Sequence, residues 1–274
     1  LLAKGYSVIG VNRSRSAVDD FVASGVTAAD SPADVARRAT VVITMVPDTP
    51  DVEQVLLGDA GVLSTLAPGS VVIDMSSISP VAAAALAARV ASAGSTMLDA
   101  PVSGGEVGAV NATLSIMVGG DTAALSRVRP LLECMGSRII HVGTTPGAGQ
   151  TCKVCNQIAI GGALAGVSEA LTLARKAGVD PVQVREALMG GFAASKVLEV
   201  HGERLIRKNF APGFRTRLYQ KDLRLAGETA AAHGVALPAT AVVAQLLNAL
   251  AASGGADLDY SALGTVLFDL AGLD

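Results

Sequence analysis

Hydrophobic positions in the first half of the chain fall into short, nearly continuous runs rather than a helical stripe. These are Tyr6–Val11, Val41–Val46, Val71–Asp74, Met97–Asp99, Leu114–Val118 and Arg138–Val142. Runs of this length, rich in β-branched residues and apolar on consecutive positions, predict strands buried on both faces. Between the first four lie polar-capped, Ala-rich segments of helical length. Ser31-Pro32 and Ser79-Pro80 each place a capping hydroxyl before a proline at the first helical position, which marks a helix start. Strand and helix in alternation predict an α/β, Rossmann-like, doubly wound and mostly parallel sheet.

The texture changes after Gly143. Thr144–Gly149 reads as a linker, and from Thr151 the pattern is helical: a long helix to about Lys176, then Pro181–Met189, Leu218–His233, Ala239–Ser253 and Ser261–Leu270. The expectation is two domains, residues 1–143 with the Rossmann-like sheet and residues 144–274 all-helical. The opening Leu1–Lys4 followed by Gly5 reads as the last turn of a helix with its glycine stop. Tyr6–Val11 is then the second strand of the fold, and the first strand with its Gly-rich loop is expected upstream of Leu1.

Composition narrows the function. The chain of 274 residues is 50% hydrophobic and 16% charged with a net charge of −3, which excludes disorder and argues against a nucleic-acid or anionic membrane surface. Its partners are expected to be small molecules and further copies of itself, as a homo-oligomer. The most apolar stretch, Ile158–Val167, is shorter than the ~20 residues of a membrane span, so it is read as a buried helix. Three cysteines, Cys134, Cys152 and Cys155, are an odd number in a long chain and point to a reducing compartment, the cytoplasm.

Candidate chemistry clusters at predicted strand ends, where open α/β sheets bind ligands. Val11 is followed by Asn12, Arg13 and Ser14. A carboxylate here would bind the ribose 2′-hydroxyl of NAD; a neutral Asn with Arg and Ser suits a 2′-phosphate, favouring NADP over NAD. The alternative is a plain polar turn. Met45, Val46 and Pro47 end the run that starts at Val41, and Ser77 follows the run that ends at Asp74, where they are placed to line the nicotinamide side. Ser103, Gly104 and Gly105 put a hydroxyl and two amides without side chains at a strand end. They form either a cradle for a carboxylate or an ordinary tight turn.

Lys153, Asn156 and Gln157 share one face of the helix that follows the linker. A lysine near a helix start faces the positive end of the dipole, which together with partial burial makes it a usable proton donor; the alternative is a lysine reaching to solvent. Cys152 and Cys155 form C-x-x-C without a second pair or a histidine at suitable spacing, so no metal site is read. His141 ends a strand with no carboxylate beside it. Lys221-Asp222 is either a solvated pair or a contact reaching toward a cofactor.

Taken together, Met97–Glu106, Leu114–Gly120, Gly147–Gln157, Gly190–Leu198 and Phe210–Ala226 resemble the β-hydroxyacid dehydrogenase family, which includes the 3-hydroxyisobutyrate dehydrogenases. Within it they are most similar to the tartronate semialdehyde reductase subgroup. The resemblance covers nearly the whole chain. It implies NAD(P)-dependent reduction of a small semialdehyde to its hydroxy acid. Lys153 would be the catalytic acid/base, Ser103, Gly104 and Gly105 would hold the substrate carboxylate, and Asn156 would orient the substrate. Ser77 and Lys221 would contact the cofactor. Many family members carry a second Asn where this chain has Gln157; the tartronate semialdehyde reductases resemble this chain there. A 3-hydroxyisobutyrate dehydrogenase is the alternative within the family; a catalytically inactive remnant or binding protein is the alternative outside it.

Overall fold

The computed structural model describes Leu1–Leu273. The chain packs as two units, Leu1–Lys153 and Val154–Asp274. The first runs through a 3-10 turn at Leu2–Lys4, closed by Gly5 in the left-handed region at φ 83°, and then β1 (Ile9–Gly10), α1 (Arg15–Ala23), β2 (Thr27–Ala28), α2 (Pro32–Arg38) and β3 (Val41–Thr44). It continues with α3 (Thr49–Leu57), β4 (Val71–Asp74), α4 (Pro80–Ser92), β5 (Thr96–Asp99), β6 (Val102–Ser103) and α5 (Gly105–Val110). It ends with β7 (Leu114–Gly119), α6 (Thr122–Leu132), β8 (Gly136–Gly143) and the first turns of α7 (Ala148–Lys176).

The main sheet has the order β3-β4-β5-β7-β6, with β8 also on β7. β3, β4 and β5 are parallel in register, so Thr44, Asp74 and Asp99 end three adjacent strands at one edge. β7 is antiparallel to β5 and β6 and parallel to β8, which makes the sheet mixed. β1 pairs in parallel with β2 alone.

Alternation along the strands sorts the core into two layers. Val42, Val72 and Met97 pack with Ala36 of α2, Val52 and Leu56 of α3, and Leu86 and Val90 of α4. Val71, Ile73 and Leu98 point the other way, with Ile116 and Val118, against Leu125, Val128 and Leu132 of α6. Both faces are therefore covered, as continuous apolar strands require. The predicted caps are present: the Ser31 hydroxyl accepts from Asp34 N at 3.1 Å and that of Ser79 from Ala82 N at 3.4 Å.

Three expectations are corrected. The first strand is only Ile9–Gly10, and its partner β2, too short and too exposed to show an apolar run, carried no signal. Residues 102–110 form a strand and a helix rather than a plain turn, because β6 pairs backward onto β7 through Val102–Ile116 and Ser103–Ser115. The long helix begins at Ala148, inside the segment read as a linker, and at 29 residues it is long and apolar enough to cross a bilayer by length and composition. The ten-residue run measured its most apolar part only. From Gly161 to Ala174 its inward side instead carries Leu164, Val167, Ser168 and Leu171, all buried.

The second unit contains the rest of α7, α8 (Pro181–Met189), a π-helical turn at Leu198–Gly202, α9 (Glu203–Arg207), α10 (Thr216–Ala232), α11 (Pro238–Ala252) and α12 (Leu263–Leu270). Its core joins Leu164 of α7 to Tyr219 and Leu223 of α10, Val243 and Leu247 of α11, and Leu263. The buried Asp259 carboxylate accepts from the amides of Gly213, Phe214 and Ser261 and pairs with Arg204 at 3.1 Å, which pins the Phe210–Phe214 turn.

Gly149 shows how closely the first turn of α7 packs within the first unit. A Cβ there would strike the Met117 carbonyl oxygen and lie 2.6 Å from that of Asp99, and backbone does not yield cheaply. Gly149→Ala is expected to cost at least ~1–3 kcal/mol. Gly162→Ala, on the same helix with open space around it, should be neutral or stabilise by up to ~1 kcal/mol. Thermal denaturation of the two variants side by side checks this.

Candidate active site

The site is built where α7 meets the carboxyl edge of the sheet. Asp99, at the end of β5 and 2% exposed, accepts from Gly147 N on one oxygen and Gln150 N on the other, both at 2.8 Å. It caps the orphan amides of a helix that begins 49 residues later in sequence. The close approach needs glycine: Gly147 sits at φ 92° with Pro80 O 2.6 Å from where its Cβ would be, and a Cβ on Gly119 would lie 2.6 Å from Asp99 Oδ1. Burial pushes the Asp99 carboxyl above its ordinary value, with the amides of Gly147, Gln150 and Gly149 opposing.

One turn beyond the cap, Lys153 is half-buried and its Nζ donates to Val102 O at 2.8 Å. That carbonyl precedes Ser103, so the lysine lies beside the Ser103-Gly104-Gly105 segment. Ser103 closes β6, and Gly104 (φ 132°) and Gly105 (φ 62°) take left-handed backbone at the start of α5. Both glycines are exposed.

The neighbouring strand ends are tied together. Thr44 Oγ1 donates to Asp74 Oδ1 at 2.7 Å, Ser76 N to the same oxygen at 3.2 Å, and Val46 N to Ser76 Oγ at 2.9 Å. Met45, 65% exposed, and Pro47 stand outward beside this network, and Ser77 is half-buried between Ser76 and Ile78. Asn12, Arg13 and Ser14 are exposed in the turn after β1. Asn12 Oδ1 accepts from Ser14 N at 2.8 Å, and Arg13 lies 3.8 Å from Asp51 near the start of α3. The Asn12–Ser14 turn thus borders the first turn of α3. No carboxylate occupies position 12, and the cation at Arg13 is presented to solvent, so this edge fits a dinucleotide phosphate.

The other two predicted residues belong to the second unit. Asn156 Nδ2 donates to Gln157 Oε1 at 2.8 Å, and Gln157 Nε2 to Asp222 Oδ2. Lys221 Nζ is 3.0 Å from Asp222 Oδ1. Gln157 is buried, and its carbonyl accepts from the Tyr219 hydroxyl at 2.7 Å. Residues 156, 157, 221 and 222 therefore form one polar cluster. His141 makes its contact with Gly120 O, at 2.8 Å.

Comparison with known proteins agrees with this geometry. Residues 1–143 match the model for the NAD binding domain of 6-phosphogluconate dehydrogenase, and residues 147–267 that for the NAD-binding domain of NADP-dependent 3-hydroxyisobutyrate dehydrogenase. The chain is 48% identical to the 2-hydroxy-3-oxopropionate reductase of Escherichia coli over 96% of its own length and 89% of that protein's. The chain belongs to the β-hydroxyacid dehydrogenase family. Another relative, the NAD-dependent L-serine dehydrogenase of Pseudomonas aeruginosa, is 38% identical over 98% of this chain and 92% of that one. The solved 3-hydroxyisobutyrate dehydrogenase of Mycobacterium tuberculosis, with L-serine, superposes with a TM-score of 0.89 at 36% identity, covering 97% of this chain and 92% of that one. As a β-hydroxyacid dehydrogenase the protein is an NAD(P)-dependent oxidoreductase acting on CH–OH groups, and the reading as an inactive remnant is not favoured.

Reasoning from the sequence missed Asp74 and Gln150 in this β-hydroxyacid dehydrogenase. The one signal for Asp74 was a carboxylate ending an otherwise apolar strand. Asp74 is fully buried, and its Oδ2 has no hydrogen-bond partner among the described residues. Burial raises its carboxyl above the ordinary 3.8, the hydrogen bonds from Ser76 and Thr44 opposing and the nearby Asp99 adding to the rise. A raised folded-state value contributes stability that is complete below about pH 3.8 and is lost as pH climbs through the folded value. Asp74→Asn keeps the neutral form at every pH. Melting curves at successive pH values should show the variant gaining on the parent protein as pH rises from about 4 to about 8; a gap independent of pH would remove Asp74 as its source.

Proposed function

We propose that the protein reduces tartronate semialdehyde (2-hydroxy-3-oxopropionate) to glycerate with NADP or NAD, NADP being favoured by Asn12, Arg13 and Ser14. The observation that carries this reading is the 2.8 Å hydrogen bond from Lys153 Nζ to Val102 O. It sets an ammonium group beside a segment that offers a hydroxyl and two adjacent glycine amides. The name of the Escherichia coli relative supports the choice of substrate.

In this reading Ser103 Oγ and the amides of Gly104 and Gly105 hold the substrate carboxylate, and Asn156, one helical turn from Lys153, orients the aldehyde. Asn12, Arg13, Ser14, Met45, Val46, Pro47, Ser77 and Lys221 contact the dinucleotide, which supplies the hydride. As negative charge grows on the aldehyde oxygen, Lys153 donates a proton to it from Nζ, and in the reverse direction the same nitrogen takes the proton back. Fixing the carboxylate and the proton donor on one framework converts an encounter of several groups into a single aligned step. The division between polar edge and apolar core keeps the chemistry at the strand ends.

The protein is further read as a cytoplasmic homo-oligomer. No disulfide joins its cysteines among the described residues, and Leu173, Val179 and Val182 are exposed apolar side chains along and just after α7.

Replacing Lys153 by Ala should lower kcat by ~10²–10⁴ while NAD(P)H binding persists, measured by steady-state kinetics and nicotinamide fluorescence on the full-length protein. Retained turnover would remove Lys153 from this role. Among tartronate semialdehyde, methylmalonate semialdehyde and L-serine, the first is expected to give the highest kcat/KM. A higher value for methylmalonate semialdehyde would instead favour a 3-hydroxyisobutyrate dehydrogenase.

A further inference from the structure

We infer that Gln150 is a positioning residue for the reaction: its side-chain amide locks the turn that carries Ser77 to the helix that carries Lys153. The inference rests on the reading above for the roles of those two residues. Gln150 is 1% exposed on the first turn of α7. Its Nε2 donates to Ser76 O at 2.7 Å and its Oε1 accepts from Ile78 N at 3.1 Å. The amide spans the carbonyl and the N–H that flank Ser77, pairing with them much as a neighbouring strand would. The backbone of Ser77 is thereby held from both sides.

The tie extends further. Gln150 N donates to Asp99, so the same residue closes the helix cap. Ser76, whose carbonyl it holds, accepts through its hydroxyl from Val46 N, which brings in the Met45–Pro47 loop. Lys153 follows three residues later, on the next turn of the same helix. A shift of the 76–78 turn would therefore move the dinucleotide contacts relative to the proton donor. A side chain that both donates and accepts is required at position 150: glutamate lacks the donor when ionised and regains it when protonated, and methionine has neither group.

That difference supplies the test. In Gln150→Glu, kcat/KM relative to the parent protein should rise about tenfold as pH falls from about 8 to about 5, as the introduced carboxyl, displaced upward from about 4.3 by burial, becomes a donor to Ser76 O. Asp99 from β5, Asp74 from β4 and Lys153 on α7 are titratable groups near the position, and Gln150→Met, which leaves them in place and adds no carboxyl, separates their titration from that of the introduced group. Gln150→Met should raise the NADPH dissociation constant about tenfold, read by nicotinamide fluorescence below the melting temperature, and should show no such pH dependence. A flat ratio for Gln150→Glu, or an unchanged dissociation constant for Gln150→Met, overturns the inference. Neither readout depends on Lys153 being the acid. If Lys153→Ala keeps its turnover, the catalytic reading falls while the positioning of Ser77 is judged on its own.

Discussion

A carboxylate buried against the start of a helix sets the geometry of the first unit. Asp99 ends a central strand, and both its oxygens are taken by amides of the Gly147–Gln150 turn. Those amides would otherwise be unsatisfied donors at the positive end of a long helix, and the carboxylate would otherwise be a buried charge without partners. Each removes the other's penalty. The close approach leaves no room for side chains at Gly119, Gly147 or Gly149, and it fixes where the next turn of the helix falls. Lys153 reaches Val102 O because the helix starts where Asp99 holds it.

The adjacent strand presents the contrasting case. Asp74 pairs in register with Asp99, yet among the described residues only one of its oxygens is hydrogen-bonded. Two buried carboxylates side by side resist joint ionisation, and the amide donors are concentrated on Asp99. Burial and the neighbouring Asp99 raise the Asp74 carboxyl above its ordinary value, and its hydrogen-bonded oxygen holds Thr44 and Ser76, and through Ser76 the Val46 loop. The same economy of polar groups appears in the second unit, where Gln157 links Asn156 to Asp222 and accepts from Tyr219. At both places a buried amide or acid organises exposed or half-buried residues that the proposed chemistry uses.

Much of this architecture was legible in the order of residues. Alternating strand and helix signals, the caps at Ser31 and Ser79, and helix α8 at Pro181–Met189 depend on contacts within three or four positions, and local pattern encodes those directly. The helical second half was readable for the same reason. Candidate residues were legible as types: a lysine at a helix start, a hydroxyl before two glycines, an amide and a cation after a strand. Their resemblance to a known family joined them into one hypothesis.

What the tertiary structure decided were pairings between distant segments. No local pattern could show that β6 folds back on β7, that the helix begins within an apparent linker because a carboxylate 49 residues upstream caps it, or that Gln150 reaches across 74 residues to Ser76. Periodicity reports which face of an element avoids water. It carries no information on which polar group, elsewhere in the chain, will satisfy a buried amide, because that depends on strand register and helix placement together. The sequence alone therefore determined the classes of element and the candidate chemistry, and folding decided which of those groups stand within hydrogen-bonding distance of one another.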